Sequence, residues 1–100
     1  MDLELKELST ELEVLPKKYD VVMHNDEVTT MGFVVAVLKI FFHHETKKAN
    51  SLMLCIHEQG SAVVGTYSYD IANTKVTQVH ASAQKEGYPL ICSVEISGES

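Results

Sequence analysis

The chain lacks four things, and each absence bears on a class of partner or place. It has no basic excess: eight Lys and Arg against fourteen Asp and Glu leave a net charge of −6. Those basic residues are scattered, whereas a nucleic-acid partner demands a basic face. No apolar run approaches the ~20 residues that span a bilayer, so no membrane partner is expected. The two cysteines, Cys55 and Cys92, are far apart and form no Cys-x-x-Cys pair, so reduced thiols of a cytoplasmic protein are the expectation. The N-terminus is acidic and has no signal or transit character. The 100 residues read as one monomeric domain, large enough for a hydrophobic core without disulfides.

The stretch around which the rest is organised is His24–Met31, reading His-Asn-Asp-Glu-Val-Thr-Thr-Met. Two carboxylates, an amide, an imidazole and two hydroxyls crowd into it. Neither a helix nor a strand of those residues would bury well, so the stretch reads as a loop between two apolar runs.

Residues 1–18, rich in Glu, Leu and Lys and ended by Pro16, read as a mobile tail. Tyr19–Met23 is short and β-branched, a strand. Met31–Phe42 has strand-like composition, but its length favours a helix, with Thr29 or Thr30 as N-cap and a polar stop at His43-His44-Glu45. A second helix is expected over Thr46–Gln59, with Thr46 as cap and Gly60 as stop. Ser61–Tyr67 is a strand. The third helix, Tyr69–Glu86, is capped by Ser68, carries Asp70 in its first turn and shows an apolar stripe of Ala72, Val76, Val79 and Ala83. Leu90–Ile96 is the last strand. The order β-α-α-β-α-β predicts an α/β two-layer sandwich, three strands with three helices on one face.

On the second helix Met53, Ile56 and His57 are spaced i, i+3 and i+4 and share a face, while Leu52, Cys55 and Gln59 lie roughly opposite. Two apolar side chains beside an imidazole are the make-up of a small apolar pocket with a polar rim. The same geometry separates Cys55 from His57 by about 200°, too far to share a proton as a thiol–imidazole pair. The histidines, including the adjacent His43 and His44, have no zinc-like spacing to the cysteines. No metal or cofactor is therefore expected. Taken singly, each of these residues has a plain structural explanation: a satisfied core histidine, a turn dipeptide at Asn25-Asp26, methionine as core filler.

As a set they form a pattern. Tyr19-Asp20-Val21-Val22-Met23-His24-Asn25-Asp26 followed by Thr29-x-Met31-x-Phe33-Val34-Val35 resembles the opening of the ClpS adaptor family. Leu52-Met53-Leu54-x-Ile56-His57-x-x-Gly60, Ala72-x-Thr74-Lys75-Val76 and Pro89-Leu90-x-Cys92 are similar to its later blocks, so the resemblance runs from about residue 18 to 95. It implies a non-catalytic adaptor that binds proteins beginning with a destabilising residue (Leu, Phe, Tyr or Trp). The partners implied are those N-degron substrates and the N-terminal domain of a ClpA-type AAA+ unfoldase working with ClpP. By the same resemblance Asn25, Asp26 and His57 would bind the substrate's α-amine. Thr29, Met31, Val34, Met53, Ile56 and Leu90 would line or gate the side-chain pocket, and Asp70 and Lys75 would contact the unfoldase.

Four positions depart from the family pattern. Thr30 stands in place of the usual proline and Gly32 in place of an acidic residue, both beside the gate residue Met31. Ile56 replaces valine in the pocket, and Asp70 replaces glutamate at the docking position. The alternative reading is a plain protein-interaction domain of the same fold, which would need neither His57 nor a rim of amine-sized polar groups.

Overall fold

A computed structural model describes residues 17–98, which fold in the order β1 (Tyr19–His24), α1 (Met31–Ile40), α2 (Thr46–Gln59), β2 (Ser61–Tyr67), α3 (Tyr69–Glu86) and β3 (Ile91–Ile96). The architecture is the expected two-layer α/β sandwich. The expected mobile tail falls largely on residues 1–16, outside those described.

The most buried strand takes the centre of the sheet. β1 lies between β2 and β3 and runs antiparallel to both, with Met23 opposite Ala62 on one side and Cys92 on the other. The two-residue period of a strand sends Val21 and Met23 into the core, where both are fully buried. Asp20, Val22 and His24 point to the other face. There Asp20 accepts from Thr66 Oγ1 at 2.7 Å, and the His24 ring bonds Ser93 Oγ at 2.8 Å. The β1–β2 register slips by one residue between Val21 and Val22, a bulge that leaves Val64 to turn inward. Gly65 follows because a Cβ there would overlap the Tyr67 ring.

α3 lies across the strands and presents Ala72, Val79 and Ala83 to them, all buried, with Val76 packed alongside. α2 packs on β2, and α1 packs on α2 with Val34, Val37 and Leu38 inward. Glycines at positive φ, Gly60 (94°) and Gly87 (77°), end α2 and α3 in the left-handed conformation that L side chains resist.

Several boundaries differ from those expected. α1 stops at Ile40, two residues short of Phe42, because Phe41 is its C-cap and His43 turns the chain at φ 60°. The His44 ring then bonds the Val64 carbonyl at 2.7 Å, so Glu45 becomes the N-cap of α2 and Thr46 its first helical residue. Of Thr29 and Thr30, it is Thr30 that caps α1, its hydroxyl accepting from Phe33 N–H at 3.2 Å. Ser68 occupies the N-cap of α3 without a side-chain capping bond. β3 begins one residue late, at Ile91, which leaves Leu90 buried in the connector.

Candidate functional site

Asp26 builds the loop between β1 and α1. Its Oδ1 accepts from the backbone N–H of Val28 at 2.8 Å and of Thr29 at 2.6 Å, while Oδ2 accepts from Thr29 Oγ1 at 2.8 Å. This is the local side-chain-to-backbone bonding for which Asp is favoured in turns. Burial by itself pushes the Asp26 carboxyl pKa up, but the three hydrogen bonds outweigh it and hold the group below its ordinary 3.8. The loop therefore carries a fixed negative charge at neutral pH.

A second tie sets where that loop lies. Asn25 N–H donates to the Gly60 carbonyl at 2.8 Å, and Gly60 is the C-cap of α2, three residues beyond His57. The end of β1 is thereby laced to the end of α2. The start of α1 leaves the loop and packs back along α2. Asn25, Asp26, Glu27, Thr29, Met31, Val34, Met53, Ile56 and His57 surround one open cavity of about 410 Å³. That volume is within the range of pockets that enclose small ligands.

Its floor and walls are apolar and its rim is not. Val34 (7 % exposed) and Ile56 (2 %) lie deepest, Met53 is half-buried, and Met31 at 47 % stands at the mouth. Asn25, Glu27 and His57 are exposed around the opening. Eight of the residues nominated from sequence thus meet at one place: Asn25, Asp26, Thr29, Met31, Val34, Met53, Ile56 and His57.

Leu90 does not line this cavity. At 4 % exposure it belongs to the core and borders a smaller hollow with His80, Gln84 and Tyr88. Asp70 and Lys75 also stand apart from the cavity. Asp70 is exposed in the first turn of α3, and Lys75 Nζ donates to the Phe41 carbonyl at 2.6 Å. Glu27 is the lining residue that sequence reasoning passed over. The signal in the sequence was that Glu27 is the second carboxylate of the His24–Met31 stretch; in the fold its side chain makes no hydrogen bond with the described residues.

No cysteine lines the cavity; burial pushes the Cys92 thiol up to about 12, and Cys55 is half-buried elsewhere on α2. Among the described residues no three His, Cys, Asp or Glu cluster as metal ligands. None of the described helices is long and apolar enough to cross a membrane.

The family profile described as ATP-dependent Clp protease adaptor protein ClpS matches residues 15–93. The ATP-dependent Clp protease adapter protein ClpS of Syntrophus aciditrophicus is 48 % identical over 80 residues, which is 80 % of this chain and 75 % of that protein. That of Leptothrix cholodnii is 49 % identical over 82 residues, 82 % of this chain and 71 % of the relative. Among solved structures, Agrobacterium tumefaciens ClpS2 bound to L-phenylalaninamide superimposes with a TM-score of 0.80 at 35 % identity. The match covers 83 % of this chain and all of that one. The chain belongs to the ClpS family, adaptors of the ATP-dependent Clp protease and not enzymes.

Proposed function

We propose that the cavity receives the first residue of substrate proteins with a free, destabilising N-terminus, and that the chain carries them to a ClpA-type unfoldase and its ClpP peptidase. The observation that carries this reading is the meeting of an apolar socket (Met31, Val34, Met53, Ile56) with a polar rim of amine-binding types (Asn25, Asp26, Glu27, His57). L-Phenylalaninamide, held by the solved relative, has the corresponding pair of features: a free α-amine and an apolar side chain.

An α-amine has an unperturbed pKa of ~7.7–8.0 and is mostly ammonium at neutral pH. It offers three protons, and the rim offers an amide oxygen, carboxylates and an imidazole nitrogen as acceptors. The Asp26 oxygens already serve the loop, so Asp26 contributes charge and shape, while Glu27 is the uncommitted carboxylate at the opening. Hydrogen bonds to charged groups give roughly 1.5–3 kcal/mol each, and burying a leucine side chain gives roughly another 1.5–3. Association costs at least ~4 kcal/mol, so the tight end of the balance is about micromolar, suited to a carrier that must let go. A first residue branched at Cβ meets Met31 at the mouth, where an unbranched methylene passes.

The deciding experiment is fluorescence anisotropy with peptides that differ only in residue one, each free and N-acetylated. Free Leu, Phe, Tyr or Trp peptides should bind, whereas acetylated or Met-preceded ones should not. His57→Ala should abolish that binding; the plain interaction-domain alternative predicts no degron binding to lose and a partner contact that the variant spares. Equal binding of blocked and free peptides would sink the proposal.

A further inference from the structure

The cavity opens at one end of a helical hairpin, where the start of α1 faces the end of α2. The closed end, residues 41–45, is held by two side-chain ties, one from α3 and one from the connector itself to β2. Lys75 of α3 donates Nζ–H to the Phe41 carbonyl at 2.6 Å, and its ammonium stands 5.7 Å from the centre of the Tyr67 ring. That ring in turn lies against Phe42, with centroids 6.4 Å apart. His44, in the connector itself, bonds the Val64 carbonyl of β2 at 2.7 Å, and its N–H reaches back to the Leu38 carbonyl at 3.1 Å. A cation on the last carbonyls of a helix satisfies an orphan acceptor and opposes the negative end of the helix dipole. Such charge-assisted bonds are short and directional.

We propose that Lys75, with His44, is a positioning residue for the substrate pocket: it pins the hinge of the α1–α2 hairpin and so sets how far Met31 and Val34 stand from Met53 and Ile56. The inference rests on the cavity being the degron pocket. α1 is 10 residues long, about 15 Å at 1.5 Å per residue. A swing of only about 5° about its C-terminus therefore moves the Met31 end by roughly 1.3 Å. A recognition site is sensitive to displacements on the order of 1 Å. Packing against α2, the Phe33–Tyr88 ring contact at 5.0 Å and the Asn25–Gly60 bond limit that swing, and the ties at residues 41–45 limit it at its pivot. Gly32, in the first turn of α1, has no atom within 4 Å of the place a Cβ would take. Lys75 thereby gains a role within the fold besides any contact with the unfoldase, for which its two remaining N–H groups stay available.

The test is Lys75→Met, which keeps the aliphatic stem and removes the donor and charge, beside Lys75→Arg, which restores both. ¹³C-methyl spectra of the methionines read the pocket directly: Met31 and Met53 line it, while Met23 is buried in β1 and serves as the internal control. Lys75→Met should shift or broaden the Met31 and Met53 methyls and leave Met23 in place. It should also weaken binding of a free Leu-initiated peptide by about 3- to 10-fold, within the usual range for residues that act through a packed element. Lys75→Arg should return both readouts to near wild type. His44→Leu, cutting the second tie, should perturb the same two methyls and stands in if Lys75→Met does not fold. Unchanged Met31 and Met53 methyls, or an equal disturbance of Met23, overturns the proposal. So does a wild-type affinity in a well-folded Lys75→Met. If the wild-type chain binds no free peptide, the degron reading fails instead, and the methyl spectra still judge the hinge.

Discussion

The rim of the cavity separates two carboxylates that are neighbours in sequence and unlike in employment. Asp26 holds the loop, and Glu27 faces the opening without a hydrogen bond among the described residues. Because hydrogen bonding lowers the folded-state pKa of Asp26 below that of the unfolded chain, its stabilisation is fully present above the unfolded value of ~3.9 and is lost as pH falls through the lower folded value. Chemical denaturation of wild type between about pH 2 and 6 should show that loss, and Asp26→Asn should flatten the profile in the same window. Glu27→Gln should leave stability unchanged, since no fold bond is removed. Exposed ion pairs are worth ~0–1 kcal/mol, so its peptide affinity should fall by about two- to fivefold, and by more at low salt. Anisotropy titrations at two ionic strengths check both parts. The sequence showed the carboxylates together but not this division, since which one turns back onto Thr29 is settled by backbone geometry.

At the scale of elements, helix ends rather than helix middles carry the site. α2 places His57 in its last turn and ends at Gly60, whose carbonyl receives Asn25 N–H. Gly60 takes φ 94°, where a Cβ strains the backbone by roughly 1–2 kcal/mol although nothing crowds it. Gly60→Ala should therefore lower the melting temperature by at least about 4–8 °C for a domain of this size. Gly60→Asn, whose side chain tolerates the left-handed region, should recover most of the loss in the same melt. The glycine stops and apolar stripes of α2 and α3 were readable because they obey local rules. The end of α1 and the cap of α2 were not, because they depend on contacts distant in sequence. Lys75 on Phe41 spans 34 residues and His44 on Val64 spans 20. Leu90 differs: alternation places it on the same side as the buried Cys92, two residues on, and its place in the pocket was implied by the resemblance alone.

For the whole molecule, the order of elements was legible from period and composition alone. That the loop after β1 meets the last turn of α2 was legible only through resemblance, since no local pattern encodes the Asn25–Gly60 tie. The finished fold keeps two surfaces apart: the cavity lies where α1 begins and α2 ends, and Asp70 stands exposed in the first turn of α3, away from its lining. Under the proposed function, this arrangement lets cargo and destination be held together without competing for the same groups. Asp70 makes no side-chain bond among the described residues, and only its carbonyl is engaged, by Thr74 Oγ1 at 3.0 Å. Reversing its charge therefore disturbs little within the fold, apart from the loss of a favourable acidic group at a helix start, worth about 0.3–1 kcal/mol. Asp70→Lys should hold peptide affinity within about twofold, since Asp70 is not among the residues that line the cavity and shares no hydrogen-bond partner with them among the described residues. The same variant should lose co-migration with the N-terminal domain of a ClpA-type unfoldase in size-exclusion chromatography. Loss of peptide binding in a fully folded Asp70→Lys would show that the two surfaces are not independent, and retained co-migration would remove Asp70 from the docking face.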